Sequence, residues 1–163
     1  MNVLGKEIVV GVGDCKVSAD PNIILTTYAL GSCLGITAFD PEHKIGGLLH
    51  AMLPSSRAAD REKNRHAMFV DTGMEDLLAD MQAAGANVAT LEFKVFGGAK
   101  VLEADHFFRI GVKNVEAFNE IVSRLGLNVR ALEVGGNLNR TIKLQISSGR
   151  VKVKMPNQQE FYR

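Results

Sequence analysis

At 163 residues, 46% hydrophobic and 23% charged, the chain has the length and composition of one soluble globular domain, expected to span residues 1–163. A domain of this size buries roughly 70% of its unfolded surface, enough for a core without disulfide or metal staples. The net charge of +1 gives no electrostatic push toward nucleic acid, and no run approaches roughly 18 consecutive apolar residues, which argues against membrane insertion.

The opening residues Met1-Asn2-Val3-Leu4-Gly5-Lys6-Glu7 have neither the basic nor the apolar region of a secretory signal. Two cysteines, Cys15 and Cys33, lack C-x-x-C spacing, so neither a disulfide scaffold, a zinc knuckle nor a redox pair is expected. A cytoplasmic protein with a free thiol fits these points.

Residues 7–18 read as a strand carrying glycines. Gly11-Val12-Gly13 has no third glycine and no following helix, which excludes a dinucleotide loop. Residues 23–28 and 34–39 are the next strands. Asp40-Pro41-Glu42-His43-Lys44 is a turn, and residues 45–53 return as a fourth strand closed by Pro54. The charged stretch 54–67 has no clear period and reads as a long exposed loop.

Apolar residues at helical spacing over 69–84 predict a helix ending at Gly85. Residues 88–96 read as a strand. A second helix is expected from Asn114 as N-cap to Gly126, with Val115, Phe118, Ile121, Val122 and Leu125 on one face. Strands at 129–134, 141–146 and 151–155 close the chain, the basic run 149–154 being a strand with a solvated face. This is an α/β or α+β domain with at least seven strands and two main helices.

The chemistry concentrates in Thr27-Tyr28-Ala29-Leu30-Gly31-Ser32-Cys33-Leu34-Gly35 and Gly46-Gly47-Leu48-Leu49-His50. If Pro41-Glu42 centres the hairpin, partners sum to 83, which sets Cys33 directly opposite His50 on one face; a one-residue slip would turn them apart, and a four- or five-residue turn is also open. An imidazole can take the thiol proton and later protonate a departing amine. Gly31, Ser32 and Leu34, with Gly35 beyond, would let a carbonyl approach and offer backbone N–H groups to an oxyanion. Thr27 could accept from the other imidazole nitrogen and fix its tautomer.

Each residue also has an ordinary reading. A buried strand cysteine is by default a small hydrophobe, His50 sits among apolar neighbours, and Thr26 is as eligible as Thr27. Cys15 reads as structural, His43 and His66 as solvated, and His106 has no assigned role. Gly31-Ser32-Cys33-Leu34-Gly35 also fits the G-x-C-x-G nucleophile elbow, although a strand rather than a helix is expected to follow it.

With these residues in view, the sequence resembles the bacterial chemoreceptor glutamine deamidases, the CheD family. The resemblance rests on Thr27, Gly31-Ser32-Cys33 and Gly46-Gly47 through His50 to Met52-Leu53-Pro54. It extends to Lys94-Val95-Phe96-Gly97-Gly98-Ala99, to Ile110-Gly111-Val112-Lys113-Asn114, and to Gly135-Gly136-Asn137 with Arg140. It implies a three-layer α/β/β sandwich with Cys33 as nucleophile, His50 as base and acid, and Thr27 orienting His50. It further implies hydrolysis of receptor glutamine amides to glutamate and ammonia without cofactor or metal. The implied partners are methyl-accepting chemotaxis receptors and a CheC-type phosphatase. Two departures are visible: Asn139 stands where the family usually has glycine, and the residues around Lys113 differ from the usual basic pair. A non-catalytic partner of a CheC-type phosphatase, or another cysteine hydrolase, is the competing expectation.

Overall fold

The computed structural model describes residues 5–102 and 107–163; residues 1–4 and His106, with its three predecessors, lie outside the described part. Two five-stranded sheets stack face to face. The first contains β1 (Lys6–Val9), β3 (Ile23–Leu30), β8 (Arg140–Gln145), β9 (Val151–Lys154) and β10 (Glu160–Tyr162), in the order β1-β3-β8-β9-β10. The second contains β2 (Cys15–Ser18), β4 (Leu34–Asp40), β5 (Ile45–Ala51), β6 (Glu92–Gly97) and β7 (Asn128–Val134), in the order β2-β5-β4-β6-β7. The chain also forms helices α1 (Ala58–Glu62), α2 (Val70–Ala83) and α3 (Ile110–Leu125). The long helices cover the second sheet's outer face, giving the expected α/β/β layering.

Every residue of β4 and β5 is buried, because their sheet is covered on both faces. Alternate side chains go to different cores. Leu34, Ile36, Leu49 and Val95 meet Met74, Leu77, Met81 and Phe118 of the helices, whereas Leu48 and Phe96 meet Leu25, Leu30, Ile142 and Leu144 of the first sheet. Each such fully buried side chain contributes about 1.5–3 kcal/mol.

Several expected elements are revised. The strand expected over 7–18 is two strands in different sheets, joined by a turn at residues 10–14. The stretch 54–67 is not a structureless loop: it forms α1 and leads into a 3₁₀ turn at His66–Met68, tied down by Arg61 to Asp71 and Glu75. The start of the strand expected over 88–96 is a 3₁₀ turn at Val88–Thr90. Helix α3 begins four residues before Asn114, with left-handed Arg109 preceding it, so Asn114 is inside the helix rather than its N-cap. It still ends at Gly126.

The β4–β5 turn has four residues, Asp40 pairing with Ile45. Asp40, fully buried, gathers the N–H groups of Glu42 (2.9 Å), His43 (3.1 Å) and Asn87 (2.8 Å) and the His43 imidazole at 2.8 Å. Burial pushes this carboxyl up, but these donors outweigh it and hold it down at about 2. His43 is therefore not merely solvated; Asp40 raises its pKa. Asp40→Ala should lower urea-unfolding stability by about 2–4 kcal/mol, since three backbone donors lose their acceptor. The folded-state value lies below the ordinary 3.8, so this contribution is whole above that pH and is lost as pH falls through about 2. The wild-type advantage should shrink over that window.

Candidate active site

One hydroxyl proton fixes the histidine. Thr27 Oγ1 lies 2.6 Å from the Val10 carbonyl oxygen and 2.6 Å from His50 Nδ1. A carbonyl can only accept, so the threonine proton goes to Val10 and the hydroxyl oxygen must accept from Nδ1–H. His50 is thereby set as the Nδ1–H tautomer, with the lone pair on Nε2. That Nε2 is buried and has no hydrogen-bond partner among the described residues. Thr27 takes this place and Thr26 does not, because neighbouring strand residues face opposite ways.

The backbone supports of His50 come from the turn between the sheets. Gly13 N–H donates to the His50 carbonyl at 2.8 Å, and His50 N–H donates to the Asp14 carbonyl at 3.0 Å. Val10, Gly13 and Asp14, all from the crossing segment, therefore grip Thr27 and His50 together. On β3, register slips between Thr27 and Leu30, adding one residue relative to β8. This bulge keeps Thr27 and Leu30 both buried while Tyr28 and Ala29 point out, with Ala29 at φ 54°. A non-glycine residue there costs roughly 1–2 kcal/mol.

The cysteine stands differently. The β4–β5 partners sum to 85, so Gly35, not Cys33, is opposite His50. The four-residue turn shifts the expected register by two, which preserves the face. In a continued ladder Cys33 and His50 are diagonal neighbours, with backbones about 7–8 Å apart. Glycine at 35 leaves room: a Cβ there would come within 2.6 Å of Leu30 and 2.8 Å of Ile142. Cys33 is half-buried and touches the inter-sheet core. It precedes a strand, which removes the nucleophile-elbow reading. Gly31 and Ser32 form the bend before it, and Leu34 opens β4 with its side chain in the helix-facing core.

Three carbonyls of this bend are held from outside. Ala99 N–H donates to Gly31 O (2.8 Å), Asn114 Nδ2 to Ser32 O (2.9 Å), and Gly98 N–H to Cys33 O (3.0 Å). Gly97, at φ +107°, runs so close that a Cβ would lie 2.1 Å from Cys33 O. Arg140, itself buried, binds Gly97 O at 3.1 Å and Gly135 O at 2.9 Å, linking the late glycine motif to the bend. Asn139 Oδ1 faces Gly31, 3.2 Å from where a Cβ would stand. The involvement of Asn114 was not foreseen; the one signal was a polar residue on the apolar stripe of Phe118 and Ile121.

Burial alone pushes the His50 imidazole down to about 4. It is neutral at pH 7 and able to accept a proton. Cys15 is pushed up to about 12 by burial, then by Asp80, Asp76 and Asp14, and is inert as a nucleophile. His66 bonds to Asp76 at 3.0 Å and to the Arg61 carbonyl. No cluster of three or more His, Cys, Asp or Glu placed to hold a metal occurs among the described residues.

The fold is an α+β sandwich in which a tautomer-fixed imidazole and a half-buried thiol both face the inter-sheet core. The family described as CheD chemotactic sensory transduction matches residues 52–155, a stretch starting just past His50. The probable chemoreceptor glutamine deamidase CheD 1 of Syntrophus aciditrophicus is 40% identical over 149 residues, covering 91% of this chain and 93% of that one. The probable chemoreceptor glutamine deamidase CheD of Thermococcus kodakarensis is 41% identical over 150 residues, covering 91% and 92%. The chain belongs to the CheD family. Among solved structures, the Neisseria meningitidis protein NMB0706, of family DUF152, aligns at a TM-score of 0.42 and 12% identity, covering 80% of this chain and 58% of that one. That likeness is too slight to carry fold or function.

Nitrogen-15 spectra should show His50 as the Nδ1–H tautomer with a titration midpoint near 4, and Thr27→Val should mix the tautomers. A midpoint near the ordinary 6.5 would contradict the burial argument. The folded value lies below the ordinary one, so the His50 contribution to stability is whole above about 6.5 and lost as pH falls toward about 4.

Proposed function

We propose that this protein hydrolyses glutamine side-chain amides of chemoreceptors to glutamate and ammonia through Cys33, His50 and Thr27. The observation that carries the reading is the buried Nε2 lone pair of His50, unpartnered among the described residues, on the side of its sheet that faces the inter-sheet core Cys33 packs against. The relatives named as chemoreceptor glutamine deamidases supply the substrate.

The neutral imidazole decides how the thiol is activated. With its lone pair on Nε2, the imidazole can take the thiol proton as sulfur attacks. Sulfur bonds to the amide carbon and Nε2 takes the thiol proton. The carbonyl oxygen becomes an oxyanion, met by backbone N–H groups of the Gly31-Ser32-Cys33-Leu34 stretch. His50 returns its proton to the departing nitrogen, and ammonia leaves a Cys33 thioester. Water, deprotonated by His50, then releases glutamate and the thiol. The net reaction consumes one water and needs no cofactor.

Receptor substrates and a reducing cytoplasm suit this chemistry. No helix among the described residues is long and apolar enough to cross a membrane. Exposed Met52, two residues past His50, and exposed Leu102, beside a valine that neighbours Gly31, offer apolar surface next to the site. A receptor helix or a CheC-type phosphatase would find a landing place there.

Incubating a receptor cytoplasmic fragment with the protein should give Gln→Glu shifts of about +1 Da and matching ammonia. Cys33→Ala should abolish both, and Thr27→Val should reduce the rate about 10- to 100-fold through the lost tautomer. Cys15→Ser should stay near wild type. Deamidation by Cys33→Ala at the wild-type rate would overturn the nucleophile.

A further inference from the structure

Asn114 was expected to cap a helix. Instead it is fully buried within α3, on the stripe that also carries Phe118 and Ile121. Helix α3 reaches the site because Gly111 lies against Gly98: a Cβ at Gly111 would stand 2.6 Å from the Gly98 carbonyl oxygen. One turn further on, Asn114 Nδ2 donates to Ser32 O at 2.9 Å and to Met52 O at 3.0 Å. Both partners are carbonyls, so the amide orientation is fixed by chemistry: only the NH₂ group can face them.

The two carbonyls occupy particular places. The β4–β5 ladder ends at Leu34 and Ala51. Ser32 lies two residues before Leu34, adjoining Cys33, and Met52 follows Ala51, two residues past His50. Where the strands stop bonding to each other, a single amide from a third element bridges them. Ala99 and Gly98 hold the neighbouring carbonyls of Gly31 and Cys33, but neither spans to the strand carrying His50.

Energetics separate a positioning role from a stabilising one. Asn114 Oδ1 is buried and has no partner among the described residues. The unsatisfied acceptor offsets part of what the two hydrogen bonds return, so the amide is a poor choice for stability alone. A leucine there would also leave the Ser32 and Met52 carbonyls without this donor, so a lowered melting temperature accompanies the positional effect. What only a double donor supplies is a fixed spacing between the two strand ends.

We infer that Asn114 is a positioning residue that sets the distance between the Cys33 bend and the His50 strand by bridging the Ser32 and Met52 carbonyls. It touches neither substrate nor reacting atoms. The inference rests on the deamidase reading for its consequence in turnover, but its effect on thiol reactivity does not require that reading.

The test uses the full chain with Asn114→Leu, which keeps bulk and removes both bonds, and Asn114→Asp, which keeps shape. Thermal melts should find both variants folded. Asn114→Leu should lower kcat on a receptor fragment about 100-fold with KM within about twofold, the scale expected for a misplacement near 1 Å. It should also shift the pH profile of Cys33 alkylation by iodoacetamide, read by peptide mass spectrometry. In Asn114→Asp the carboxylate has no proton to give; protonation restores one O–H donor, so its activity relative to wild type should rise as pH falls. A folded Asn114→Leu with wild-type kcat and an unchanged alkylation profile would overturn the inference. If Asn114→Leu does not fold, an activity ratio for Asn114→Asp that is flat with pH would do the same. Wild type that alkylates normally but never deamidates would overturn the deamidase reading instead, leaving the alkylation comparison to judge Asn114.

Discussion

The site depends on a single proton. Thr27 has one hydroxyl hydrogen, and Val10 O takes it at 2.6 Å. His50 Nδ1 must then be the donor in the second contact, so Nε2 is left with the lone pair. A valine at position 27 would fill the same space without deciding the tautomer. A carboxylate would decide it too, but it would bring a charge into the core between two sheets, where ionisation is costly. Threonine achieves the orientation without a charge, and burial keeps the imidazole neutral.

The double-sheet architecture makes that contact possible. Thr27 belongs to one sheet and His50 to the other, and the hydrogen bond spans the seam between them. A side-chain contact across stacked sheets is only as well placed as the sheets are. The crossing segment answers this locally. It passes from β1 to β2 beside the pair and supplies Val10 O to the threonine, with Gly13 N–H and Asp14 O going to the histidine backbone. The glycine-bearing turn after β1 is thus a brace for His50.

Much of this was legible in sequence because strand periodicity and turn chemistry are local. Residues 23–28 and 34–39, the helix after 69 and the glycine at 126 fall close to the observed elements. The register was not legible to the same accuracy: a two-residue centre and a four-residue turn both fit Asp40-Pro41-Glu42-His43-Lys44, and the long-range grip of Asn87 N–H on Asp40 cannot be read from a local window. The error survived because a shift of two keeps faces, whereas a shift of one would have separated Cys33 from His50. The division of residues 7–18 between two sheets, and the place of Asn114 inside a helix, depend on tertiary contacts that no short pattern encodes. The CheD resemblance supplied candidate roles that pattern alone left open.

The thiol and the imidazole are held by different means, and this has a consequence for how the site responds to change. His50 is within a strand paired on both sides, between edge strand β2 and central strand β4. Cys33 precedes its strand, and its bend is fixed by contacts from residues 97–99 and from α3. Arg140 steadies the first of these through Gly97, so a guanidinium on the first sheet bears on a cysteine of the second. His50 is therefore buffered by the fold, whereas the Cys33 bend integrates small displacements from three separate elements. Because the carbonyl and N–H of a trans peptide point opposite ways, fixing the Gly31, Ser32 and Cys33 carbonyls also fixes the directions of the Ser32, Cys33 and Leu34 N–H groups. The contacts that hold the Cys33 bend therefore also hold the orientation of its peptide N–H groups.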